Sequence, residues 1–414
     1  LLLAVNYSYS FSSFEIKPFS KIKKLNQKNY WQWLKELNFS PIPSSLSITT
    51  NINRSFRTQR FREIYTEGID AINQLSLPNL EQRNFLFDWN YRINHNLTKS
   101  LRISFNAYNN RIIRNFDPSA SNKIKNAIWD NIWDVGEANN YNQSISANYK
   151  LPFRFIPFLS FLDANYSYTG DFSWQRGPEG QAEVMSEDGS KLGIVNTVQN
   201  ANTKTFSGAI SFQKLYSTLG LNDNKKPIQG NNIVKDKKKE SRKQKNKKRI
   251  KRIVDLLNTI KRLQFNYSEN NGTVLPGFLP SLGFFGTNRP STAFTFGSQA
   301  DIRYESAKKG WITSFTNFNQ TFNQIHNYSL NISTQWSPFK DLVVDLNIDR
   351  NYSENKSENF RLENSDYIPL NPNIYGNFGT STILIKTAFD KLEDVNNPIF
   401  EKFRNNRIII SNRL

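Results

Sequence analysis

Long stretches of this sequence alternate apolar and polar residues with a period of two, which is the pattern of a β-strand with unlike surroundings on its two faces. The clearest stretch is FLDANYSYTGDFSW, residues 161–174, where Leu162, Tyr166 and Trp174 fall on one parity and Asn165 and Ser167 on the other. This run is roughly twice the usual strand length of about five or six residues. Its apolar side must therefore contact an apolar environment that extends along the whole length of this long strand.

The same alternation recurs along the chain and predicts about thirteen strands. Strong alternation marks residues 3–12, 46–53, 85–94, 161–174, 328–336 and 342–352, and weaker alternation marks 101–108, 141–151, 202–213, 262–269, 292–304, 311–318 and 375–389. The predicted connections alternate in length. Short turns such as 94–100 and 337–341 lie between longer polar loops at 57–84, 109–140, 175–201 and 354–374.

Composition limits the classes of protein to which the chain can belong. No uncharged apolar run reaches about 18 residues, so transmembrane helices are excluded. The sequence has no cysteine, which excludes disulfide frameworks and thiolate metal sites. The first residues, LLLAVNYSYSFSSF, lack a basic region and already alternate like a strand. We therefore expect a sequence that begins inside a longer protein, without a signal peptide at its start.

Much of the net charge of +19 is concentrated in one stretch. Residues 225–252 contain 14 Lys and Arg against Asp236 and Glu240. A protein that binds single-stranded nucleic acid would place aromatic side chains among such cations, and this stretch has none. It is therefore interpreted as a solvated insertion. Helical spacing of four apolar residues at its end predicts a short amphipathic helix: Ile250, Ile253, Leu257 and Ile260.

Alternating strands joined by alternately short and long connections are typical of outer-membrane barrels. The predicted fold class is therefore all-β, a transmembrane antiparallel β-barrel segment of about thirteen strands from a larger barrel, with small periplasmic helical insertions. Residues 1–414 would form part of this one barrel. The two insertions on the short-turn side are residues 14–45, with a helix-like YWQWLKEL, and the basic residues 214–261 with their amphipathic helix. A soluble all-β protein remains the alternative.

The polar parity of the predicted strands consists mostly of Ser, Thr and Asn, which suit a water-filled lumen better than a packed core. The apolar parity would then face lipid. The lumen-facing candidates are Asn6, Ser8, Ser10, Thr49, Asn51, Asn53, Asp88, Asn90, Asn165, Ser167, Asn331, Ser333, Asp345, Asn347 and Asp349.

One apolar stretch, GTVLPGFLPSLGFFG at residues 272–286, contains too many Gly and Pro residues for a strand that faces lipid. It is predicted to fold over the mouth of the barrel or into its lumen, and an ordinary surface loop is the alternative. The residues assigned to this loop are Val274, Leu275, Pro276, Phe278, Leu279, Phe284 and Phe285.

Catalytic chemistry has little support in the sequence. His95 and His326 are far apart and lack the His/Glu spacing of a metal site. Asp345 and Asp349 share a strand face about 13 Å apart, at about 3.3 Å per residue, which is too far for a two-carboxylate mechanism. An acidic group in the predicted 354–374 loop is interpreted as solvated: Glu354, Glu358, Glu363 and Asp366. We therefore expect no enzyme activity, cofactor or metal.

Four long stretches resemble the SprA (Sov) family, the outer-membrane translocon of the type IX secretion system in Bacteroidetes-type bacteria. They are LPFRFIPFLSFLDANYSYTGDFSWQRG, NTVQNANTKTFSGAISFQKLY, LQFNYSENNGTVLPGFLPSLGFFG and NFLFDWNYRINHNLTKSLRISFNA. The chain departs from the family in being far shorter than a whole translocon. The basic insertion at 225–252 is also longer and more charged than the family leads us to expect.

The resemblance implies a very large barrel through which folded cargo proteins with C-terminal signal domains, including gliding adhesins, reach the cell surface. Implied partners are the cargo, a PorV-type outer-membrane shuttle, a periplasmic plug protein and outer-membrane lipid, with no nucleic acid. A TonB-dependent receptor or a porin-like barrel would share the strand pattern. A soluble nucleic-acid-binding β-protein would need its cations on the sheet, whereas here they are concentrated in one loop.

Overall fold

A computed structural model of the chain describes residues 1–21, 38–61, 79–113, 136–153, 156–186, 189, 191–218, 259–339, 341–381 and 398–412. In these residues, eleven antiparallel strands follow one another in chain order in a single sheet. The strands are β1 (Leu2–Ser10), β2 (Ser45–Gln59), β3 (Leu80–Asn96), β4 (Leu101–Ile112), β5 (Glu137–Lys150), β6 (Leu162–Gln175), β7 (Asn196–Ser211), β8 (Ile260–Phe278), β9 (Phe322–Phe339), β10 (Leu342–Glu363) and β11 (Asp366–Thr380). The predicted all-β antiparallel architecture is therefore confirmed.

Two of the predicted strands are wrong. Residues 292–304 and 311–318 lie in the connection between β8 and β9, which instead contains two short helices, Thr292–Thr295 and Arg303–Lys308. The first of these helices begins after Ser291, whose side chain accepts a hydrogen bond from the backbone of Phe294. Such an N-cap stabilises a helix start that short-range alternation does not reveal.

The predicted long loop at 354–374 is also wrong. β10 extends to Glu363, and a two-residue turn, Asn364 and Ser365, leads directly into β11. Both turn residues have positive φ, 49° and 69°, as a type I′ hairpin requires. All four acidic residues assigned to a solvated loop therefore lie on strands, Glu354, Glu358 and Glu363 on β10 and Asp366 at the start of β11.

Strand register gives the sheet two unlike faces. Residues directly opposite each other in antiparallel strands point to the same side. Tyr7 pairs with Ile48, Ile48 with Tyr91, and Tyr91 with Ala107, so the apolar parities of neighbouring strands coincide. We call this side the aromatic face and the other side the polar face.

The sheet also has two unlike ends. The connections 97–100 and 340–341 lie at one end, which we call the short-connection end, together with the attachment points of both predicted insertions. The opposite, long-connection end carries the connections after β2, β4, β6 and β8. The predicted helical residues 30–37 and 250–258 lie outside the described residues, and Ile260, predicted to end the amphipathic helix, is instead the first residue of β8.

The hydrophobic core lies on one side of the sheet only. Residues 279–321, which we call the connecting segment, fold against the aromatic face and include α2 (Thr292–Thr295) and α3 (Arg303–Lys308). The other described helices are α1 (Phe212–Thr218) and α4 (Pro398–Ser411). The buried cluster joins strand residues such as Phe172 and Leu275 to Leu282, Phe294 and Ile312 of the segment.

β1 and β11 are the two ends of the described sheet, in agreement with the predicted edges near 3–12 and 375–389. Each of these strands pairs with a single neighbour among the described strands. None of the described helices is long and apolar enough to cross a membrane.

Candidate functional site

The structure places every predicted lumen-facing candidate on the polar face. Asn6 pairs with Thr49 and Thr49 with Asn90. At the other side of the sheet, Asn331 pairs with Asp349 and Ser333 with Asn347. The candidates thus form a continuous polar surface, although whether that surface lines a lumen stays a prediction.

Short side chains and hydrogen bonds between neighbouring strands give the polar face a hydrated character. The Asn331 amide donates to the Asp349 carboxylate at 2.5 Å, and the Gln335 amide donates to Asp345 at 3.2 Å. Two hollows of about 470 Å³ each lie on this face. One of them extends across strands β4–β9, with Asn106, Ser173 and Asn323 among its lining residues. The polar face is therefore concave across strands β4–β9.

The predicted mouth or lumen loop has a different position. Val274, Leu275, Pro276 and Phe278 are strand residues at the end of β8, so the loop prediction is wrong for them. Leu279, Phe284 and Phe285 belong to the connecting segment. The Phe284 ring stacks on Trp89 of the aromatic face, with ring centres 3.9 Å apart. Phe284 therefore lies on the opposite face from the lumen candidates, whereas Val274 lines a hollow of the polar face.

Side chains of the strands hold the irregular backbone of the connecting segment. The Asn200 amide donates to the carbonyls of Phe294 and Ser298 at 3.0 and 2.7 Å, and the Asn202 amide donates to Gly297 at 2.6 Å. Similar bonds run from Asn109 to Phe284, from Tyr91 and Tyr141 to Phe285, from Tyr168 to Phe296 and from Trp174 to Pro280. Buried backbone carbonyls outside regular structure need such partners, which explains amides on an otherwise apolar face.

Gly170 of β6 allows the segment to approach the sheet closely. A Cβ atom at this position would lie 2.4 Å from the carbonyl oxygen of Phe296, a distance that requires the backbone to shift. On the segment side, Gly297 has φ of 94° and lies next to the Tyr168 hydroxyl. Positive φ favours glycine there. The contact between β6 and the segment therefore depends on two glycines.

A buried ion-pair cluster fixes the second half of the segment to β10 and β11. Arg303 of α3 binds Glu358 of β10, whose side chain is 1% exposed, and pairs with Asp301 at 2.7 Å. The Tyr367 hydroxyl donates to Glu358 at 3.0 Å, and the Arg303 guanidinium lies over the Phe322 ring at 4.8 Å. Burial alone would raise the pKa of Asp301, but hydrogen bonds and charge attraction from Arg303 outweigh it and lower that pKa.

The rest of the aromatic face of β6–β10 is not covered by the segment. Along the strands, its rows of paired residues change from apolar to aromatic to polar. Towards the short-connection end, paired rows are apolar: Leu162, Ala164, Gly208, Ile210, Leu263, Phe265, Ile332, Leu346 and Ile348. The next two rows contain aromatic residues (Tyr166, Phe206, Tyr267, Tyr328 and Tyr352) together with Arg350 and the ion pair of Lys204 with Glu269. Beyond them the paired residues are polar, for example Asn271, His326 and Glu354. We call the apolar and tyrosine rows the uncovered band.

The uncovered band ends in aromatic residues on both sides. On β9, Tyr328 marks the upper limit and Trp336 the lower one, where the indole N–H donates to the Thr259 hydroxyl at 2.7 Å. Eight residues separate them, about 26 Å along a strand with a rise of about 3.3 Å per residue. Leu346 and Ile348, between these limits, are 40% and 46% exposed. The lower rows of the band are thus mainly apolar and expose Leu346 and Ile348, and its upper rows combine aromatic rings with charged residues.

Sequence analysis missed the ion-pair cluster and the covered part of the aromatic face. SENKSEN, residues 353–359, is polar on both parities, and Phe360 is the single apolar residue near Glu358, so the sequence did not mark Glu358 as buried. One feature of the sequence could have indicated the covered part of the face. Asn and Gln occur on the apolar parity in β5, β7 and β8, as at Gln143, Asn200 and Asn271. A lipid-facing strand would not place amides there.

Comparison with known proteins does not assign the chain to a family. No protein-family model matches it, and none of the curated proteins has a significantly similar sequence.

Proposed function

We propose that this chain forms part of the wall of a large outer-membrane β-barrel that passes folded cargo proteins to the cell surface, as a segment of a type IX secretion translocon. The observation that carries the proposal is the uncovered band. An apolar strip about 25 Å tall between two aromatic girdles is how a barrel wall meets the bilayer. Strands tilted by about 40° would cross about 20 Å with the eight residues between Tyr328 and Trp336.

The polar face supports the assignment of a water-filled interior. Asn, Ser and Thr dominate its exposed positions, and its hollows cross several strands. Such a lining offers few apolar contacts, so a folded protein can pass without unfolding or adhering. The connecting segment then lies outside the lumen, against the outer wall above the bilayer.

A large barrel is supported by the free edges of the described sheet. β1 exposes Leu3, Val5 and Tyr7 on the aromatic face, and β11 exposes Ile374 and Phe378. Open edges pair with further strands. In the proposed barrel, additional strands continue the sheet beyond both.

Secretion as the specific task rests on the resemblance of the four quoted stretches to the translocon family. The proposed partners follow from it: cargo with C-terminal signal domains, a PorV-type shuttle, a periplasmic plug protein and lipid. The proposed location is the outer membrane of a Gram-negative, Bacteroidetes-type cell. Transport requires no bond chemistry in this proposal, and no role as an enzyme is proposed.

Site-specific photo-crosslinking tests this function. A photoreactive residue replaces Ser333 on the polar face or Ile348 in the uncovered band, in cells that secrete a folded reporter bearing the signal domain. We expect reporter crosslinks from position 333, none from 348, and none with a reporter that lacks the signal domain. Equal crosslinking from both positions, or none from position 333 while the reporter is secreted, would contradict the proposal. The latter result would favour a receptor or porin-like barrel.

A further inference from the structure

A cationic hollow of about 660 Å³ lies at the short-connection end of the sheet. It is bordered by the connections 98–101 and 149–152, by the start of β6 and by α1. Four cations line it: Lys99, Lys150, Lys214 and Arg262. Asp163 is the single carboxylate among the described residues of its lining. The hollow therefore carries a net positive charge.

Two of these cations are available for a ligand. Lys150 and Arg262 are exposed, and neither has a carboxylate partner within salt-bridge distance in the part of the chain that the structure describes. Lys99 differs, because it pairs with Glu15 at 3.3 Å. Lys150 and Arg262 both lie on the polar face, through their pairing with Asn165 and Ser211.

The floor of the hollow is apolar. Leu101, Leu151, Pro152, Phe161 and Leu162 contribute to its lining. Binding sites commonly combine an apolar floor with a few polar groups that fix orientation. Here the floor would accept one apolar side chain, while the cations contact carboxylates on either side of it.

The described lining supplies little negative charge of its own. Asp163 is its single described carboxylate, against Lys99, Lys150, Lys214 and Arg262. The charge of the described lining therefore complements an anionic occupant.

We propose that this hollow is a docking site for an acidic peptide segment with an apolar anchor residue. The position of Lys150 and Arg262 on the polar face favours a ligand in water over a bilayer lipid. The aliphatic floor favours a peptide over nucleic acid, which has no aliphatic side chain to place there. The choice of a ligand in water rests on the proposed function, whereas the lining itself is formed by strand ends and turns whatever the function.

Fluorescence anisotropy with the full chain in detergent tests the proposal. The probe is a fluorescein-labelled, glutamate-rich peptide with one central leucine, and a glutamine-rich peptide with the same leucine is the control probe. We expect saturable binding of the first peptide that weakens as salt rises, because salt screens exposed charges. Equal binding of the glutamine peptide would overturn the proposal.

Charge removal locates the site. Replacing Lys150→Gln and Arg262→Gln together should weaken binding about two- to tenfold, as expected for the loss of two exposed ion pairs. The control is Arg361→Gln, an exposed cation near the long-connection end, which should leave affinity unchanged. Unchanged affinity in the double variant, or an equal loss in the control, would contradict the site.

Competition separates the peptide from other anions. Unlabelled acidic peptide should displace the probe at lower concentrations than oligothymidylate or vesicles of anionic lipid do. Displacement at lower concentration by the oligonucleotide or by the vesicles would replace the proposed peptide with that class of ligand.

Discussion

One face of this sheet holds two regions that look alike in sequence and differ in structure. In the uncovered band, the apolar residues Phe265 and Ile332 are half-buried and Ile348 is 46% exposed. In the zone beneath the connecting segment, Phe172, Trp174 and Leu275 have the same parity and the same chemistry. These residues, however, form a buried core with the segment. Period-two alternation therefore identifies the apolar side of a strand, but it does not distinguish a side that packs against protein from one that faces lipid.

Polar groups distinguish the two regions. The covered zone contains Asn200, Asn202 and Glu358, each bonded to the connecting segment. The uncovered apolar rows contain no charged residue, whereas the tyrosine rows contain Arg350 and the ion pair of Lys204 with Glu269. Hydrogen-bonding side chains are needed where an irregular backbone packs against the sheet. They cost free energy where the sheet contacts lipid. This contrast suggests a series of tests, beginning with the largest expected effect.

Removing the buried carboxylate should loosen the covered zone most. Glu358→Ala leaves Arg303 buried with only Asp301 as a charged partner, and breaking a buried pair costs about 3–5 kcal/mol. We expect a matching loss of unfolding free energy in urea and faster proteolysis within residues 279–321. The control is Glu363→Ala on the same strand, whose partner Arg361 is 55% exposed and whose loss should cost under about 1 kcal/mol. Equal effects of the two variants would contradict a stabilising role of the buried Arg303–Glu358 ion pair.

A charge in the uncovered band should act only when the bilayer is present. Ile348→Lys places an ammonium group on the face assigned to lipid, which costs about 2–4 kcal/mol near the midplane of a membrane. We expect this loss for folding into lipid vesicles. Asn347→Lys, on the neighbouring polar position, should cost close to nothing. A larger effect from Asn347→Lys would reverse the assignment of the two faces.

Steric contact between β6 and the segment can be tested with one methyl group. Gly170→Ala would place Cβ 2.4 Å from the Phe296 carbonyl oxygen, and overpacking of this kind costs about 1–3 kcal/mol. We expect lower thermal stability and greater exposure of the segment to protease. Gly272→Ala is the matched control, since its Cβ would make an ordinary contact of 3.5 Å with a backbone oxygen. Similar behaviour of both variants would argue against close docking.

Acidification should give the smallest effect, and again only in the covered zone. The pKa of Asp301 is lowered from its ordinary value of 3.8, so its contribution to stability is complete above that value and is lost as pH falls through the lowered one. The difference in Tm between the natural chain and Asp301→Asn should therefore be constant at neutral pH and shrink below about pH 4. A difference that grows on acidification would have the wrong sign.

The sequence was sufficient for the sheet and insufficient for what packs on it. Alternation located all eleven strands of the described sheet, and the grouping of lumen candidates on one face followed from parity. Residues 292–304 and 311–318 were mistaken for strands because aromatic residues such as Phe294 and Phe315 recur there at strand spacing. Phe294 instead packs into the core from helix α2, and Phe315 is buried outside any strand or helix. The β10–β11 turn escaped because Asn364 and Ser365 lack the glycine that usually marks a type I′ hairpin.

The ion-pair cluster was beyond any local pattern. Arg303 and Glu358 are 55 residues apart, and they meet only because the segment returns across the sheet to β10. Long-range placement of this kind depends on the tertiary fold, which no periodicity encodes.

Site-directed spin labelling along β10 tests directly whether the aromatic face of the sheet contacts lipid and the polar face contacts water. The sequence contains no cysteine, so single cysteines at positions 344–349 can be labelled without background. In lipid vesicles, we predict high accessibility to oxygen at 344, 346 and 348 and high accessibility to a water-soluble nickel reagent at 345, 347 and 349. Equal oxygen accessibility at odd and even positions between 344 and 349, or oxygen maxima at the odd ones, would contradict the account.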